Sequence, residues 1–275
     1  MRAIKQFQIR GVSGHVSRVE IAGRTIDFWA PAHRTDHLLI THDGQNIFDP
    51  RTSTHRGKTW EAAQSAIRVS ALQSMTPPAI IAIWNGNTKA DPWRRVLELS
   101  PQQIFESGVK PLIDPSIPLT VQDLCGDSYL DSVFNNYVPK ILTELGLSIA
   151  PENTALMGSS MGALSTLYAA AHYGDRFTTS LALSTHWTLA GIPLVDAIIN
   201  SIPDPRKHRV WMSHGSKGLD RDYGPFQLRA NELMEEKGFT VGENFESRVY
   251  SRSGHNEKSW AKYLDSPMEF WLGRN

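Results

Sequence analysis

The segment GSSMG at residues 158–162 places Ser160 between two glycines in the spacing G-x-S-x-G. A serine in this pattern can act as a nucleophile when it lies on a sharp turn between a strand and a helix. Such a turn holds the serine at positive φ, a strained conformation that points its hydroxyl out of the sheet. The apolar run TALMGS precedes the turn, and apolar residues follow it at helical spacing as far as Gly174. The residues around Ser160 therefore predict the strand, turn and helix that this chemistry requires.

A serine hydroxyl needs a histidine to take its proton at neutral pH, and the chain has ten histidines. In hydrolases with this kind of turn, the chain order is serine, acid, histidine, and the histidine follows a late strand. His255, in SRSGHNEKSW, follows the last predicted strand and precedes the last predicted helix. We therefore predict that His255 is the base, with His214, one strand earlier, as the alternative.

The acid of this arrangement is expected between the serine and the histidine, in the loop GSKGLDRDYG after a strand at residues 208–214. The loop has two carboxylates, Asp220 and Asp222. Either could hold the imidazole in the right tautomer and stabilise the imidazolium. We favour Asp220 and keep Asp222 as the alternative.

An oxyanion that forms on an ester carbonyl needs two backbone N–H donors. One is expected from Met161, the residue after the nucleophile, and the other from the loop after an early central strand. That loop is HDGQN, where Gly44 permits a tight turn that leaves the Gln45 amide free. The sequence predicts an oxyanion hole made by the backbone amides of Gln45 and Met161.

The elements that must position these residues alternate between strand and helix patterns from about residue 36. This alternation predicts an α/β fold with a mostly parallel central sheet and helices on both faces. HVSRVEIAGRTIDFWAP predicts an antiparallel hairpin at the edge, and no linker interrupts residues 1–275, which predicts a single domain. Strands are expected at residues 37–42, 78–85, 154–159, 179–185, 208–214 and 246–251, and helices at 59–74, 127–146, 161–173, 190–200, 224–237 and 256–272.

In such a sheet the ligand lies beyond the carboxyl ends of the strands, which selects the residues after each strand. Trp84 and Trp187 both occupy such positions, and we expect their indoles to form an aromatic side of a substrate pocket. Asn85 and His186 are their neighbours and could bond substrate hydroxyls. The alternative is that both indoles pack in the core beneath loops.

Composition narrows the class of protein. The 28 basic and 28 acidic residues cancel, whereas proteins that bind nucleic acid or membrane surfaces usually have a basic excess. The first residues have no apolar core of a secretory signal, and no apolar run reaches the length of a membrane span. Cys125 is the single cysteine, so no internal disulfide can form, and we expect a cytoplasmic protein. The sequence has neither a phosphate-binding loop nor an H-E-x-x-H zinc motif, so no cofactor and no metal are predicted.

Taken together, these residues resemble the Putative esterase family of the α/β-hydrolase fold. That family includes feruloyl and acetyl-xylan esterases, siderophore esterases, S-formylglutathione hydrolases and secreted mycolyltransferases. The resemblance covers roughly residues 20 to 274, and the order HDGQN, GSSMGA, GHNE is far more specific than G-x-S-x-G alone. The matching segments are THDGQNIFDP, WNGN, RVLELSP, GDSYLDSVFNNYVPKI, MGSSMGALSTLYAAAHYGDRF and SGHNEKSW.

The resemblance implies an α/β-hydrolase fold in which Ser160 is the nucleophile, His255 the base and Asp220 the acid. It implies a serine carboxylesterase that acts on a small-molecule ester, such as an acylated sugar, through an acyl-enzyme. Acyl transfer to an alcohol would use the same residues, and a binding protein that retains the fold without catalysis is a third possibility. The elbow GSSMG differs from that of the S-formylglutathione hydrolases, which disfavours that activity. Neither the ester nor the oligomeric state follows from the sequence.

Overall fold

The computed structural model describes residues 1–55, 57–112 and 120–273. Within these ranges, nine strands belong to one sheet. The strands are β1 (Arg2–Phe7), β2 (Val16–Ile21), β3 (Arg24–Trp29), β4 (Leu38–Thr41), β5 (Ala79–Ile83), β6 (Thr154–Ser159), β7 (Thr179–Leu183), β8 (Arg209–Lys217) and β9 (Phe245–Gly254). The helices of four residues or more are α1 (Ala62–Leu72), α2 (Arg94–Leu99), α3 (Gln102–Glu106), α4 (Gly126–Ser132), α5 (Val138–Leu145), α6 (Met161–Tyr173), α7 (Ile192–Ser201), α8 (Gly224–Glu236), α9 (Glu257–Tyr263) and α10 (Asp265–Leu272), with a π-helical turn at Val133–Tyr137 and a 3₁₀ helix at Gly218–Tyr223.

The strand order is β1-β2-β3-β5-β4-β6-β7-β8-β9. All pairs from β5 to β9 in this order are parallel, whereas β1, β2, β3 and β5 pair antiparallel. The mostly parallel sheet and the antiparallel edge are therefore confirmed. Because β4 and β6 are parallel neighbours, the loops that follow them leave the same edge of the sheet.

Each face of the sheet has its own apolar core. In β4, Leu38 and Ile40 belong to one core and Leu39 to the other, because successive strand residues point to opposite faces. The first core includes buried residues of α3 to α8, and the second those of α1, α9 and α10. Helices therefore cover both faces, as the alternating pattern predicts.

The structure differs from the predicted elements in three places. The segment RAIKQF forms β1, an almost fully exposed edge strand with no apolar alternation to reveal it. The helices α2 and α3 have six and five residues, too short for helical periodicity to show. The helix expected at residues 256–272 is divided at Leu264 into α9 and α10.

Candidate active site

Ser160 lies on the turn between β6 and α6 with φ 57° and ψ −122°. This positive φ is strained for a serine. Gly158 makes the turn possible, because a Cβ there would lie 2.2 Å from the carbonyl oxygen of Gly162. The Ser160 backbone N–H donates to the carbonyl of Leu183 at the end of β7, at 2.9 Å. The local structure is the strand, turn and helix expected from the sequence.

His255 follows β9, and its Nδ1 lies 2.6 Å from Asp220 Oδ1. The other carboxylate oxygen of Asp220 accepts from the Gly215 N–H at 2.7 Å and from Ser184 Oγ at 2.8 Å. Asp220 is completely buried, while the His255 side chain is 18% exposed. A buried, fully bonded carboxylate therefore holds the orientation of an imidazole that solvent can reach.

Burial alone would raise the pKa of Asp220. The hydrogen bond and positive charge of His255, the Ser184 hydroxyl and the Gly215 amide outweigh that effect and keep this pKa below its ordinary value. Asp220 is therefore ionised at neutral pH. An ionised carboxylate can hold the Nδ1 proton and leave Nε2 free to accept another proton.

The alternative residues have other surroundings. The Asp222 side chain is 62% exposed and pairs with its neighbour Arg221 at 3.5 Å. His214 is buried within β8, and its Nδ1 lies 2.6 Å from the carbonyl oxygen of Gly215. Neither residue takes part in the contact between Asp220 and His255.

Ser184, the residue after β7, connects the turn at Ser160 with the pair of Asp220 and His255. Ser184 directly follows Leu183, to which Ser160 is bonded, and it has φ 50°. Its hydroxyl donates to Asp220 and accepts from the indole of Trp260 at 3.0 Å. The Trp260 ring in turn contacts the His255 ring, with centroids 5.2 Å apart. Asp220 and His255 are therefore linked to the carboxyl end of β7, where the Ser160 backbone is also bonded.

The two predicted amide donors lie in first turns of helices. Met161 is the first residue of α6, and Gln45 lies in the 3₁₀ helix Gly44–Asn46 after β4. First-turn N–H groups have no acceptor within their helix. Gly44 is required there, because a Cβ would lie 2.3 Å from the carbonyl oxygen of Ala82.

An ionic contact fixes the loop that carries Gln45. Asp43, at φ 53°, accepts two hydrogen bonds of 2.7 Å from the guanidinium of Arg95. Its Oδ1 also accepts from Asn85 Nδ2 at 2.7 Å, and the Asn85 N–H donates to Gln45 Oε1 at 3.2 Å. Burial would raise the pKa of Asp43, but Arg95 and Asn85 lower it overall. The Asn85 side chain is half-buried, and its contact with substrate stays a prediction.

His186 lies beside the serine at the same edge. Its N–H donates to the Ser160 carbonyl at 3.3 Å, and its Nδ1 lies 2.7 Å from the Tyr223 hydroxyl. Burial, followed by the nearby charges of His255 and Arg95, lowers the pKa of His186 to about 4. The half-buried imidazole is therefore neutral at neutral pH, and contact with substrate stays a prediction for it.

The rim position predicted for Trp187 is wrong. Its side chain is 0% exposed, and its indole donates to Gln227 Oε1 at 3.3 Å. The 3₁₀ turn Trp187–Leu189 directs the ring inward between α7 and α8, so it packs in the core and cannot form part of an open pocket. Trp84 is half-buried with its ring 4.4 Å from the Arg18 guanidinium, and a substrate contact stays a prediction.

Sequence reasoning missed several residues that build the site. Ser184, Tyr223, Arg95 and Trp260 all contact the predicted residues through tertiary packing. Only Ser184 had a sequence signal, since it lies near the carboxyl end of the predicted parallel strand at residues 179–185. The others lie one or two turns inside helical segments or loops, where no spacing rule selects them.

Among the described residues, no three His, Cys, Asp or Glu side chains lie close enough together to hold a metal ion. None of the described helices is both long and apolar enough to cross a membrane.

Comparison with known proteins gives a family match. The model of the Esterase family, described as Putative esterase, matches residues 122–269. The uncharacterized protein YbbA of Bacillus subtilis (strain 168) is 24% identical over 157 residues, which are 54% of this chain and 61% of that protein. The chain thus spans less than two thirds of this relative.

Solved structures show the same fold at low sequence identity. An IroE-like serine hydrolase from Shewanella oneidensis is 17% identical with a TM-score of 0.66, over 98% of this chain and 79% of that one. The enterochelin esterase from Shigella flexneri is 17% identical with a TM-score of 0.60, over 98% of this chain and 58% of that one. These likenesses confirm the α/β-hydrolase fold.

Proposed function

Because this chain belongs to the Putative esterase family, we propose that it is a serine carboxylesterase that uses Ser160, His255 and Asp220. One observation carries the proposal. Asp220 lies 2.6 Å from His255 at the edge of the sheet where Ser160 is held at positive φ. A strained serine beside an acid–histidine pair is the arrangement that acyl transfer requires.

Acylation begins when Ser160 Oγ attacks the carbonyl carbon of the ester and His255 Nε2 takes the hydroxyl proton. The carbonyl oxygen becomes an oxyanion, which the N–H groups of Gln45 and Met161 stabilise. The bond from this carbon to the alcohol oxygen then breaks. His255 gives its proton to that oxygen, so the alcohol leaves and the acyl group stays on Ser160.

Deacylation repeats these steps with water in place of the serine. His255 takes a proton from water, the hydroxide adds to the acyl carbon, and the same two amides bind the oxyanion. Collapse returns the proton to Ser160 Oγ and releases the acid. Ester and water thus give acid and alcohol, with the enzyme restored.

Two neighbouring residues support this cycle without taking a proton. Asp220, ionised throughout, stabilises the imidazolium of His255 in both steps. His186 is neutral at working pH because burial lowers its pKa to about 4, so its ring can bond an uncharged part of the substrate.

The proposed substrate is a small-molecule ester, such as an acylated sugar. The structural relatives are named for enterochelin and ferulic acid esters, which are their own substrates. Transfer of the acyl group to an alcohol would proceed through the same acyl-enzyme, so only the acceptor separates the two activities. The cytoplasmic location stays a prediction from the sequence.

A panel of esters tests the proposal. The wild-type protein and Ser160→Ala are compared on p-nitrophenyl acyl esters, acetylated sugars, feruloyl esters and siderophore esters, with Ser159→Ala as the matched control. Ser159 is buried at the end of β6 and precedes the turn, so we expect it to tolerate the change far better. Turnover that survives in folded Ser160→Ala would reject the proposal. Adding glycerol or a sugar as acceptor and measuring the acylated product distinguishes transfer from hydrolysis.

A further inference from the structure

A cleft of about 680 Å³ has His255 among its lining residues. Four cationic side chains line it: Lys217 at the end of β8, Arg252 in β9, and Lys258 and Lys262 in α9. The described residues around the cleft include no carboxylate. A cleft lined by one sign of charge concentrates ligands of the opposite sign.

The four cations are available to a ligand. All four are exposed, and none of them forms an ion pair with a carboxylate among the described residues. By contrast, the guanidinium groups of Arg18, Arg24, Arg94 and Arg95 pair with carboxylates, in a chain whose 28 basic and 28 acidic residues balance. The positive charge of the cleft is thus a local excess.

The arrangement is locally unfavourable for the fold. Lys258 and Lys262 are four residues apart in α9, so their like charges lie on one face of the helix and repel. Arg252 has φ 64°, a conformation that disfavours a residue with a Cβ. The pairing of β8 with β9 also shifts between Gly215 and Lys217, and such bulges redirect side chains next to active sites. Folding alone would favour none of these features.

The chemistry indicates which half of the ester meets the cleft. His255 must reach the oxygen of the departing alcohol to protonate it, so the alcohol lies on the His255 side of the reacting carbon. The amides of Gln45 and Met161 hold the carbonyl oxygen on another side. Because His255 also lines the cleft, an alcohol half that extends past the His255 ring would meet the four cations.

We propose that the cleft formed by Lys217, Arg252, Lys258 and Lys262 binds an anionic group on the alcohol half of the substrate. This inference rests on the serine-esterase function proposed above and narrows it to esters of anionic alcohols. Carboxylate and phosphate share the required chemistry, and both are compared in the test.

The test compares two acetyl esters that differ in one negative charge and one methyl group, 4-acetoxybenzoate and its methyl ester, with 4-acetoxyphenyl phosphate as the phosphate probe. Each kcat/KM is divided by the rate of the same ester with hydroxide, which removes the difference in leaving-group reactivity. The wild type is expected to prefer the anionic ester by about tenfold or more, and the preference should fall with added salt. Whichever anion shows the larger preference identifies the better ligand.

Charge-removing variants locate the effect. Lys258→Gln with Lys262→Gln should lower the ratio of anionic to neutral kcat/KM by about five- to tenfold, since one exposed ion pair contributes a factor of about two to five. Lys140→Gln with Lys207→Gln removes the same charge at exposed positions outside the cleft and should leave the ratio unchanged. A p-nitrophenyl hemisuccinate, whose charge is in the acyl half, should show no such preference over its methyl ester.

Three results would overturn the inference: equal use of the charged and neutral esters, a preference that the Lys258 and Lys262 variants leave intact, or a preference that follows the acyl charge. In each of these cases Ser160→Ala would still abolish turnover, and the serine-esterase function would stand. If Ser160→Ala retained turnover of both esters, the proposed function itself would fail.

Discussion

In the described part of the chain, serine and histidine side chains are linked at both ends of β7 and β8. At the carboxyl ends, Ser184 Oγ donates to Asp220, and Asp220 contacts His255 Nδ1 at 2.6 Å. At the amino ends, Ser180 Oγ lies 2.9 Å from His208 Nε2, and His208 Nδ1 is buried without a hydrogen-bond partner among the described residues. At the amino ends the serine contacts the histidine directly, whereas at the carboxyl ends the carboxylate of Asp220 lies between them.

The pair of Ser180 and His208 lacks several features that a catalytic site needs. His208 is 1% exposed, and burial lowers its pKa to about 4, so it is neutral and closed to solvent at neutral pH. Ser180 lies inside a regular strand, whereas Ser160 lies on a strained turn before α6, and the Met161 N–H at the start of α6 has no acceptor within that helix. The distinguishing features are therefore the backbone strain at Ser160, the solvent access of His255, the carboxylate that orients its ring and the proposed oxyanion donors.

The largest expected effect separates the serines. Ser160→Ala should lower kcat by about 10⁴- to 10⁶-fold, because it removes the attacking atom. Ser180→Ala should leave turnover within about twofold and lower the free energy of unfolding by about 1–3 kcal/mol, because it removes the partner of a buried imidazole nitrogen. Steady-state kinetics and urea unfolding of both variants measure this. Similar losses of kcat in Ser160→Ala and Ser180→Ala would contradict the different roles assigned to the two serines.

The next effect concerns the histidines. His255→Gln should reduce kcat/KM by several orders of magnitude, and His214→Gln and His208→Gln should not, because only His255 meets a carboxylate at the site. In the wild type, kcat/KM should rise with pH, because the base must be neutral to take the serine proton. Asp220, with its lowered pKa, and His186, with a pKa of about 4, are already deprotonated there. Two ionisations in the rising part of the pH profile of kcat/KM would contradict the assignment. A greater loss of kcat/KM in His214→Gln than in His255→Gln would also contradict it.

A somewhat smaller loss is expected from the acid. Asp220→Asn should lower kcat by about 10⁴-fold, because an amide favours the wrong imidazole tautomer. Asp222→Asn removes the same charge from the adjacent exposed position and should change kcat by less than about threefold. The kinetics of the two variants, with circular dichroism to verify folding, decide between them. Equal losses would mean that loop charge, and not the contact with His255, matters.

The smallest expected effect is a change in the free energy of unfolding, and it concerns the pair of Ser180 and His208. Because the pKa of His208 is about 4 in the folded protein and about 6.5 when unfolded, the unfolded chain binds the extra proton between these values. Stability should therefore fall as pH decreases from about 6.5 to about 4, by up to about 3 kcal/mol from this residue. His208→Gln should flatten that part of the urea-unfolding pH profile, and exposed His15→Gln should not. An unchanged slope in His208→Gln would show that burial does not control this histidine.

The sequence predicted the parts of this comparison that follow from chain order. The strand, turn and helix around Ser160 and the late position of His255 are local patterns, and strands of a parallel sheet bring their ends to one edge. Placing Trp187 at a pocket rim failed because residues after a strand can turn either inward or outward. That direction depends on the packing of Trp187 against Gln227 of α8, which lies forty residues away.

The supporting contacts were also beyond sequence reasoning. The pairing of Arg95 with Asp43 joins residues fifty-two positions apart, and Tyr223 meets His186 across thirty-seven. Without aligned relatives to show covariation, nothing in the composition or periodicity of these segments links them. The short helix α2, which carries Arg95, was itself missed.

Covalent labelling tests the central claim most directly. A fluorophosphonate reacts with a serine only where a base activates the hydroxyl and amides stabilise the developing oxyanion. Intact mass and peptide mapping should show one adduct per chain, on Ser160, formed orders of magnitude more slowly in His255→Gln. Ser180, despite its contact with His208, should remain unlabelled. An adduct on another residue, or equal labelling rates in the wild type and His255→Gln, would contradict the account.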